Sequence, residues 1–443
     1  MKGRESRTVQ LVTLGCSKNR VDSEHLLRQI ALNSFTILPS EGDFFSLPPQ
    51  ILIINSCGFI KDAKEESLES ILLGVEAKKR GLVEKLYVFG CLSQRYKEEL
   101  RSEIPEVDHF FGVFERESIA QILGFRWSSN LSTPRLLTTP PHYGYLKISE
   151  GCDRGCSYCA IPLIRGGHKS IPQQELVDEA NSLAQMGVKE LIVIAQDTTY
   201  YGLDLYGERR VASLLERLSQ IKEIERIRLL YSYPHSFPLE LLQLMLENPK
   251  ICRYIDIPLQ HINDGVLSNM RRGIDSKSTI ELLEKIRKSV PGVVLRTTLI
   301  VGHPGESQEA FNQLKEFVRE IGFERLGAFT YSAEEGTWGY SNLKDTIPQE
   351  VKQQRYEELM EIQAECSLNY NISRVGSTAR VLIDSFENGL YFGRSEFEAP
   401  EVDGEIVIGG GEDDGSSAKK IIGTFADVKI ESADHYDLMG HFI

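Results

Sequence analysis

The sequence predicts an α/β protein with three domains: an N-terminal parallel α/β sheet, a central, partly closed barrel of six βα units, and a small C-terminal antiparallel β-barrel. Over residues 1–125, short apolar runs alternate with amphipathic stretches, which is the pattern of a parallel sheet covered by helices. Over residues 142–371, strand-then-helix units repeat six times. Residues 372–443 contain short alternating runs separated by Gly and Asp, which favour a small barrel.

The N-terminal elements follow from hydrophobic periodicity. Apolar runs predict strands at 9–14, 51–54 and 86–89, and amphipathic stretches predict helices that include 23–30 and 61–79. A shift to Ser, Thr and Pro over residues 126–141 indicates a linker to the central domain.

The central elements repeat one unit. The expected strands are 145–149, 190–196, 226–232, 254–260, 293–302 and 325–332. Six such units with right-handed crossovers form a curved, partly closed barrel. A long helix at 348–370 leaves this barrel, and the runs 379–384 and 404–409 are expected strands of the C-terminal domain.

Composition narrows the class of protein. Hydrophobic residues make up 41% and charged residues 26%, as in globular proteins, and the apolar runs fall well short of the ~20 residues of a spanning helix. The N-terminus lacks the apolar core of a signal peptide, so we expect a cytoplasmic protein that does not enter a membrane. The net charge of −14 argues against nucleic acid as the main partner. In a reducing compartment, eight cysteines indicate metal ligands or catalytic thiols.

The most specific motif is Cys152-Asp-Arg-Gly-Cys156-Ser-Tyr-Cys159, which follows the first barrel strand. Three thiolates within eight residues can wrap one face of an iron–sulfur cluster and leave one iron open. The alternative is zinc with His168 as a fourth ligand, but this cysteine spacing is not the usual zinc spacing.

This motif resembles that of the radical S-adenosylmethionine superfamily. The resemblance implies a 4Fe–4S cluster held by the three cysteines, with S-adenosylmethionine chelated by the open iron. It also implies one-electron reduction of the cofactor to methionine and a 5′-deoxyadenosyl radical. Tyr158, just before the third cysteine, fits the aromatic position that flanks the adenine in that superfamily.

A second set consists of Cys16, Cys57 and Cys91, which lie one to three residues beyond three predicted strands. In a parallel sheet all strand carboxyl ends open on one edge, so we expect the three thiols to converge. The alternative is that each is a buried small hydrophobe, which is the interpretation we adopt for Cys252 and Cys366.

Over essentially the whole chain, this arrangement resembles the methylthiotransferases. The resemblance implies a TRAM-like C-terminal barrel and a second 4Fe–4S cluster at Cys16, Cys57 and Cys91, again with one open iron. It further implies a sulfur donor and a one-electron reductant as partners. An electron-transfer protein would saturate each cluster with four cysteines, whereas both sets here have three.

Polar residues follow several barrel strands, where a barrel enzyme keeps its active site. The resemblance makes Tyr158, Gln196, Gly302 and Glu306 the candidate cofactor-binding residues, and no catalytic residue is assigned beyond the cluster ligands. Asp197, beside Gln196 at the same strand end, either contacts the cofactor or caps the following turn, and Glu306 either contacts the cofactor or caps the helix from Ser307.

Two histidines and one short run each have two interpretations. His261 and His303 are either general bases or hydrogen-bonded structural residues. The run 270–273 (Met-Arg-Arg-Gly) either binds an anionic substrate or ends a helix.

Methylthiotransferases modify either adenosine in transfer RNA or an aspartate in a ribosomal protein. Residues 372–443 contain six Lys or Arg against fourteen Asp or Glu, a net charge of −8, which should repel phosphates and attract a basic protein. The segments 14–24 and 391–408 resemble the ribosomal-protein kind, with Arg20 as a departure. We therefore expect methylthiolation at the β-carbon of an aspartate in small-subunit ribosomal protein S-twelve, with transfer RNA as the alternative substrate.

Overall fold

The structure is a computed structural model that describes residues 7–40, 42–128, 135–409 and 420–443. Part of the predicted linker, 129–134, lies outside the described residues, as do four of the charged residues counted in the C-terminal segment: Glu412, Asp413, Asp414 and Lys419. Among the described helices, none has the length and apolar character needed to cross a membrane.

The N-terminal domain is a five-stranded sheet in the order β2-β1-β3-β4-β5. All its pairings are parallel, as the alternation of runs predicts. Strand β3 lies in the middle and is buried along its whole length, which explains its continuous apolar sequence. The elements in chain order are β1 (Thr8–Thr13), α1 (Ser17–Leu32), β2 (Thr36–Ile37), β3 (Ile51–Ser56), α2 (Lys61–Lys79), β4 (Lys85–Gly90), α3 (Cys91–Arg95), α4 (Lys97–Glu103), β5 (His109–Phe110) and α5 (Arg116–Leu123).

The central domain is the expected open barrel of six parallel strands, β6, β9, β10, β11, β12 and β13. They form two three-stranded sheets that meet at β10 and β11, where Ile227 and Ile251 form a parallel bridge. The first elements are β6 (Tyr143–Lys147), β7 (Ser149–Glu150), α6 (Ile161–Arg165), β8 (Lys169–Ser170), α7 (Gln173–Gln185), β9 (Glu190–Ile194), a 3₁₀ helix (Thr198–Tyr200), α8 (Leu203–Tyr206) and α9 (Val211–Ser219). They are followed by β10 (Arg226–Leu229), α10 (Glu240–Glu247), β11 (Tyr254–Asp256), α11 (Asp264–Asn269), α12 (Ser276–Ser289), β12 (Val294–Val301), α13 (Gln308–Ile321), β13 (Arg325–Thr330), α14 (Trp338–Asn342) and α15 (Gln349–Arg374).

All six barrel strands end earlier than their sequence predicts, by one or two residues in four of them, by three in β10 and by four in β11. Strand β10 stops at Leu229 and β11 at Asp256, although apolar sequence continues in both cases. Shortly beyond them, Tyr231 and Gln260 adopt φ of 62° and 76°. The left-handed conformation of Tyr231 ends the extended run after β10, whereas Gln260 still forms a parallel bridge with Leu299 of β12.

The C-terminal domain is a closed barrel in the order β14-β15-β16-β18-β17. The expected antiparallel barrel is confirmed with one exception, the parallel pairing of β16 with β18. A closed ring with an odd number of strands cannot alternate in direction throughout, so one pairing must be parallel. Its strands are β14 (Thr378–Glu387), β15 (Leu390–Arg394), β16 (Ile406–Gly409), β17 (Phe425–Ala433) and β18 (Leu438–Phe442).

The C-terminal domain packs against the amino ends of the central strands. Arg226, the first residue of β10, donates to the carbonyl oxygens of Arg380 and Arg394 at 2.9 Å each. The segment after β15 enters the central barrel, where Phe397 and Ala399 pack in one core with barrel residues such as Tyr254. The carboxyl ends of the strands, which carry the predicted sites, lie at the opposite edge.

Candidate functional site

The three N-terminal cysteines meet at the carboxyl edge of the first sheet. Cys16 lies just before α1, Cys57 directly after β3, and Cys91 opens α3. Burial raises the pKa of the Cys57 thiol to about 12 and that of Cys91 to about 11. The neighbouring thiols of the set add to both rises, so the parallel sheet brings together residues far apart in sequence.

Gly90 makes this convergence possible. It has a φ of 108°, and a Cβ atom at its position would lie 2.4 Å from Asn55 Oδ1 and 2.5 Å from the carbonyl oxygen of Ser56. Only glycine fits a turn that approaches the neighbouring strand so closely. The turn therefore sets the position of Cys91 relative to Cys57.

The barrel cysteines lie on the loop between β7 and α6. The antiparallel pair β7–β8 closes the longer segment that consists of this loop and α6. The backbone N–H of Arg154 donates to Cys152 Sγ at 3.5 Å, and Arg272 Nη1 donates to Cys156 Sγ at 3.4 Å. Burial raises the pKa of Cys152 to about 11 and that of Cys159 to about 12.

Each set supplies three thiols, which is the donor set of a 4Fe–4S cube with one iron left open. Within the described ranges, no group of three Cys, His, Asp or Glu side chains is arranged around one metal ion. A 4Fe–4S cube takes each thiolate on a different iron and therefore needs wider ligand spacing. His168, the fourth ligand in the zinc alternative, has its Nε2 atom 3.0 Å from Ser170 Oγ. Cys252 is buried in the barrel core, and Cys366 Sγ lies 3.9 Å from the Val318 carbonyl oxygen.

The predicted cofactor contacts fall into two groups. Tyr158 lies beside the cysteines, with its hydroxyl 3.3 Å from Arg272 Nη1. Gln196 Nε2 donates to Glu150 Oε1 at 3.2 Å, and Gln196 Oε1 is buried without a hydrogen-bond partner. That unpaired acceptor is suited to a bound ligand.

Gly302 and Glu306 form the second group. Glu306 Oε2 accepts from the Gly302 backbone N–H at 2.8 Å, and its Oε1 pairs with Arg355 at 2.7 Å. Gly302 has a φ of 76°, so Glu306 holds a turn that favours glycine. Ser307, rather than Glu306, caps the following helix by accepting from Ala310 N–H at 3.2 Å.

Most of the side chains for which the sequence left two interpretations are buried. Asp197 caps its turn by accepting from Thr199 N–H at 2.9 Å. His261 is fully buried and its Nδ1 accepts from Asn263 N–H at 2.9 Å, which favours the structural role. Burial lowers the pKa of the fully buried His303 to about 4. Of the run 270–273, Arg272 is buried against the cysteine loop.

Sequence reasoning missed the arginines around the thiols. Arg154 pairs with Asp197 at 2.6 Å, and Arg165 forms a buried network between the two domains. A signal was available for these two, because they lie two residues after Cys152 and six after Cys159. Nothing in the local sequence places Arg272 beside Cys156.

Comparisons with known proteins agree with this architecture. A family model described as "Radical SAM superfamily" matches residues 146–318, one described as "TRAM domain" matches 375–443, and "Uncharacterized protein family UPF0004" matches 8–112. The ribosomal protein uS12 methylthiotransferase RimO of Bacteroides fragilis is 50% identical over 437 residues, 99% of each chain. The RimO of Porphyromonas gingivalis is 52% identical over 400 residues, 90% of this chain and 92% of its own. The chain belongs to the RimO family of methylthiotransferases.

The RimO-family assignment agrees with the predicted enzyme class and kind of substrate. A solved structure, the radical S-adenosylmethionine methyltransferase TsrM from Kitasatospora setae, has a TM-score of 0.55 at 13% identity, covering 87% of this chain and 77% of its own. A likeness at that identity shows the fold alone. It supports the partly closed barrel as the scaffold of this RimO-family chain.

Proposed function

We propose that the chain inserts a methylthio group at the β-carbon of an aspartate in ribosomal protein uS12, the S-twelve protein of the small subunit. Two 4Fe–4S clusters and S-adenosylmethionine serve as cofactors, with Cys152, Cys156 and Cys159 holding one cluster and Cys16, Cys57 and Cys91 the other. The observation that carries the proposal is the pair of three-cysteine sets at adjoining sheet edges. The names of the full-length relatives support the substrate.

Bound at these sites, the cofactors supply a carbon-centred radical from S-adenosylmethionine and a sulfur atom for transfer. The chain supplies position and charge. Arg272 donates to Cys156 Sγ and so orients that ligand side chain. Gln196, through its unpaired Oε1, and the Gly302 turn, which Glu306 holds in place, would contact S-adenosylmethionine when it is bound.

The acidic C-terminal domain supports a basic protein substrate. Because this domain packs at the amino ends of the barrel strands, its charge acts away from the cysteine loops. We infer that it attracts the ribosomal protein over a distance, while the aspartate reaches the carboxyl edge. A one-electron reductant and a sulfur donor complete the reaction, and a ribosomal substrate supports the cytoplasm as its location.

The test is an anaerobic reconstitution with S-adenosylmethionine, reductant and sulfide. The chain is offered a peptide containing the aspartate loop of uS12 and, separately, unmodified transfer RNA. We expect the mass of one hydrogen replaced by SCH₃ on the aspartate alone. Modification of the RNA alone would overturn the substrate assignment and establish the alternative.

Iron content tests the second cluster independently. The reconstituted chain should hold about eight irons, and the Cys57→Ala variant about four. The Cys366→Ala variant is the matched control and should retain about eight. About four irons in the unaltered chain would contradict the two-cluster proposal.

A further inference from the structure

Arg165 connects the two cysteine sets. It ends α6, six residues after Cys159, and thus belongs to the radical domain. Its Nη2 atom lies 3.6 Å from Cys91 Sγ and 2.6 Å from Asn19 Oδ1, both in the N-terminal domain. The guanidinium of Arg165 therefore links the helix that follows the barrel cysteines to Cys91 of the N-terminal set.

The geometry around Arg165 is fixed from several sides. Its Nη1 atom pairs with Glu150 Oε1 at 2.8 Å and with Asp22 Oδ2 at 3.0 Å. Only 3% of the residue is exposed, so water cannot replace these partners. Glu150 belongs to the strand before Cys152 and Asp22 to α1, which makes the contact depend on both domains.

The charges of this network leave a positive excess beside Cys91. Lys147 pairs with Asp22 at 2.5 Å and with Glu150 at 2.8 Å, and Arg116 pairs with Asp22 at 3.2 Å. Together with Arg165, three cations thus face two carboxylates. Of the three cations, Arg165 donates to the sulfur itself.

We propose that Arg165 is a positioning residue of the radical domain that stabilises the reduced state of the N-terminal cluster through its contact with Cys91. The inference rests on the proposed second cluster. Hydrogen bonds to ligand sulfur and nearby positive charge favour the more negative, reduced form of an iron–sulfur cluster. Arginine is suited to this role because its charge is permanent and its fork binds the carboxylates and the sulfur together.

The experiment measures the reduction potential of the N-terminal cluster in the full-length chain. Cys152, Cys156 and Cys159 are replaced by alanine so that only the N-terminal set can hold iron. Variants Arg165→Gln and Arg165→Lys are added to this background. The midpoint is followed by electron paramagnetic resonance during a redox titration, with iron content measured in each sample.

We expect Arg165→Gln to shift the midpoint to lower potential. Arg165→Lys retains the charge, so its midpoint should lie between that of Arg165→Gln and that of the background protein. The matched control Arg116→Gln removes a cation that binds the same Asp22 without reaching Cys91, and should shift the midpoint less than Arg165→Gln.

The outcomes separate the two proposals. If the background without barrel cysteines holds no iron, the proposed second cluster fails. If it holds about four irons and Arg165→Gln has an unchanged midpoint, the role of Arg165 is overturned. Should Arg165→Gln fail to incorporate iron, the Arg165→Lys midpoint decides, and an unshifted value there contradicts the inference.

Discussion

Glu190 and Arg394 form a buried ion pair between the central barrel and the C-terminal domain, with 2.8 Å between Oε2 and Nη1. Arg228 donates to the other carboxylate oxygen of Glu190 at 2.9 Å. Glu190 and Arg228 are fully buried, and Arg394 is 2% exposed. Arg394 also pairs with Asp384 at 2.6 Å, whereas the only ion pair of Arg228 among the described residues is the one with Glu190.

Replacing Glu190 by glutamine should therefore destabilise the protein strongly. Removing one partner from a buried charge network leaves an uncompensated charge and typically costs about 3–5 kcal/mol. The measurement is the free energy of unfolding of the apo chain in urea. The matched control is Glu281→Gln, since Glu281 forms an exposed pair with Lys277 on α12 at 3.9 Å. It should change the free energy by less than about 0.5 kcal/mol, and equal effects would contradict the prediction.

Glu334 should hold the N-terminal domain against the barrel. It lies in the loop after β13 and pairs with Lys64 at 2.8 Å and with Arg95 at 2.7 Å. In Glu334→Ala these cations lose their buried partner, so we expect faster hydrogen exchange in β3 and β4, by roughly 10-fold. Glu335→Ala is the control, because Arg95 binds only the backbone carbonyl of Glu335. Unchanged exchange in Glu334→Ala would rule out this role.

Gly90→Ala should remove the N-terminal cluster selectively. The added Cβ would collide with the neighbouring strand at 2.4 Å and displace Cys91, so we expect iron to fall from about eight to about four per chain. Gly124→Ala is the control, because Gly124 has a similarly positive φ of 90° and open space around its Cβ position. Eight irons in Gly90→Ala would show that the loop can relax.

His303 should make the apo chain less stable in mild acid. Its pKa is lowered by burial from 6.5 to about 4, so between these values the unfolded chain takes up a proton that the folded chain refuses. Burial of the neutral ring costs no protonation free energy above pH 6.5. As the pH falls from 6.5 to about 4, the free energy of unfolding decreases by roughly 3 kcal/mol. Nearby His261, Glu306 and Asp345 also act on this ring.

The check is the pH dependence of urea unfolding between pH 7 and pH 4. His303→Gln should flatten the acid slope relative to the unaltered chain, whatever its effect at neutral pH. His435→Gln alters an exposed histidine and serves as the control, which should keep the slope. Identical slopes in all three proteins would disprove the assignment to His303.

Much of the fold could be predicted because its signals are local. Apolar runs separated by amphipathic helices indicated the parallel strands, and a change of pattern marked the C-terminal barrel. The early end of β10 could not be predicted, since the left-handed conformation of Tyr231 depends on contacts such as the hydrogen bond from its N–H to Asp256 Oδ2 at 2.9 Å. That partner lies on a different strand.

The candidate site, like the fold, could be predicted only where its signals are local or follow from strand order. The spacing of Cys152, Cys156 and Cys159 is a local signal, and the topology of a parallel sheet was enough to bring Cys16, Cys57 and Cys91 to one edge. The partners of Glu306 could not be predicted, because Arg355 lies on a helix 49 residues away in sequence.

By itself the sequence determined the class of scaffold, the six thiols and their division into two sets, because motif spacing and strand order are written along the chain. Only the tertiary structure decided that Arg165 of one domain contacts Cys91 of the other. It also decided that the acidic C-terminal domain packs at the amino ends of the barrel strands, opposite the cysteines. Both are relations between distant segments, set by which buried charges find partners when the domains pack.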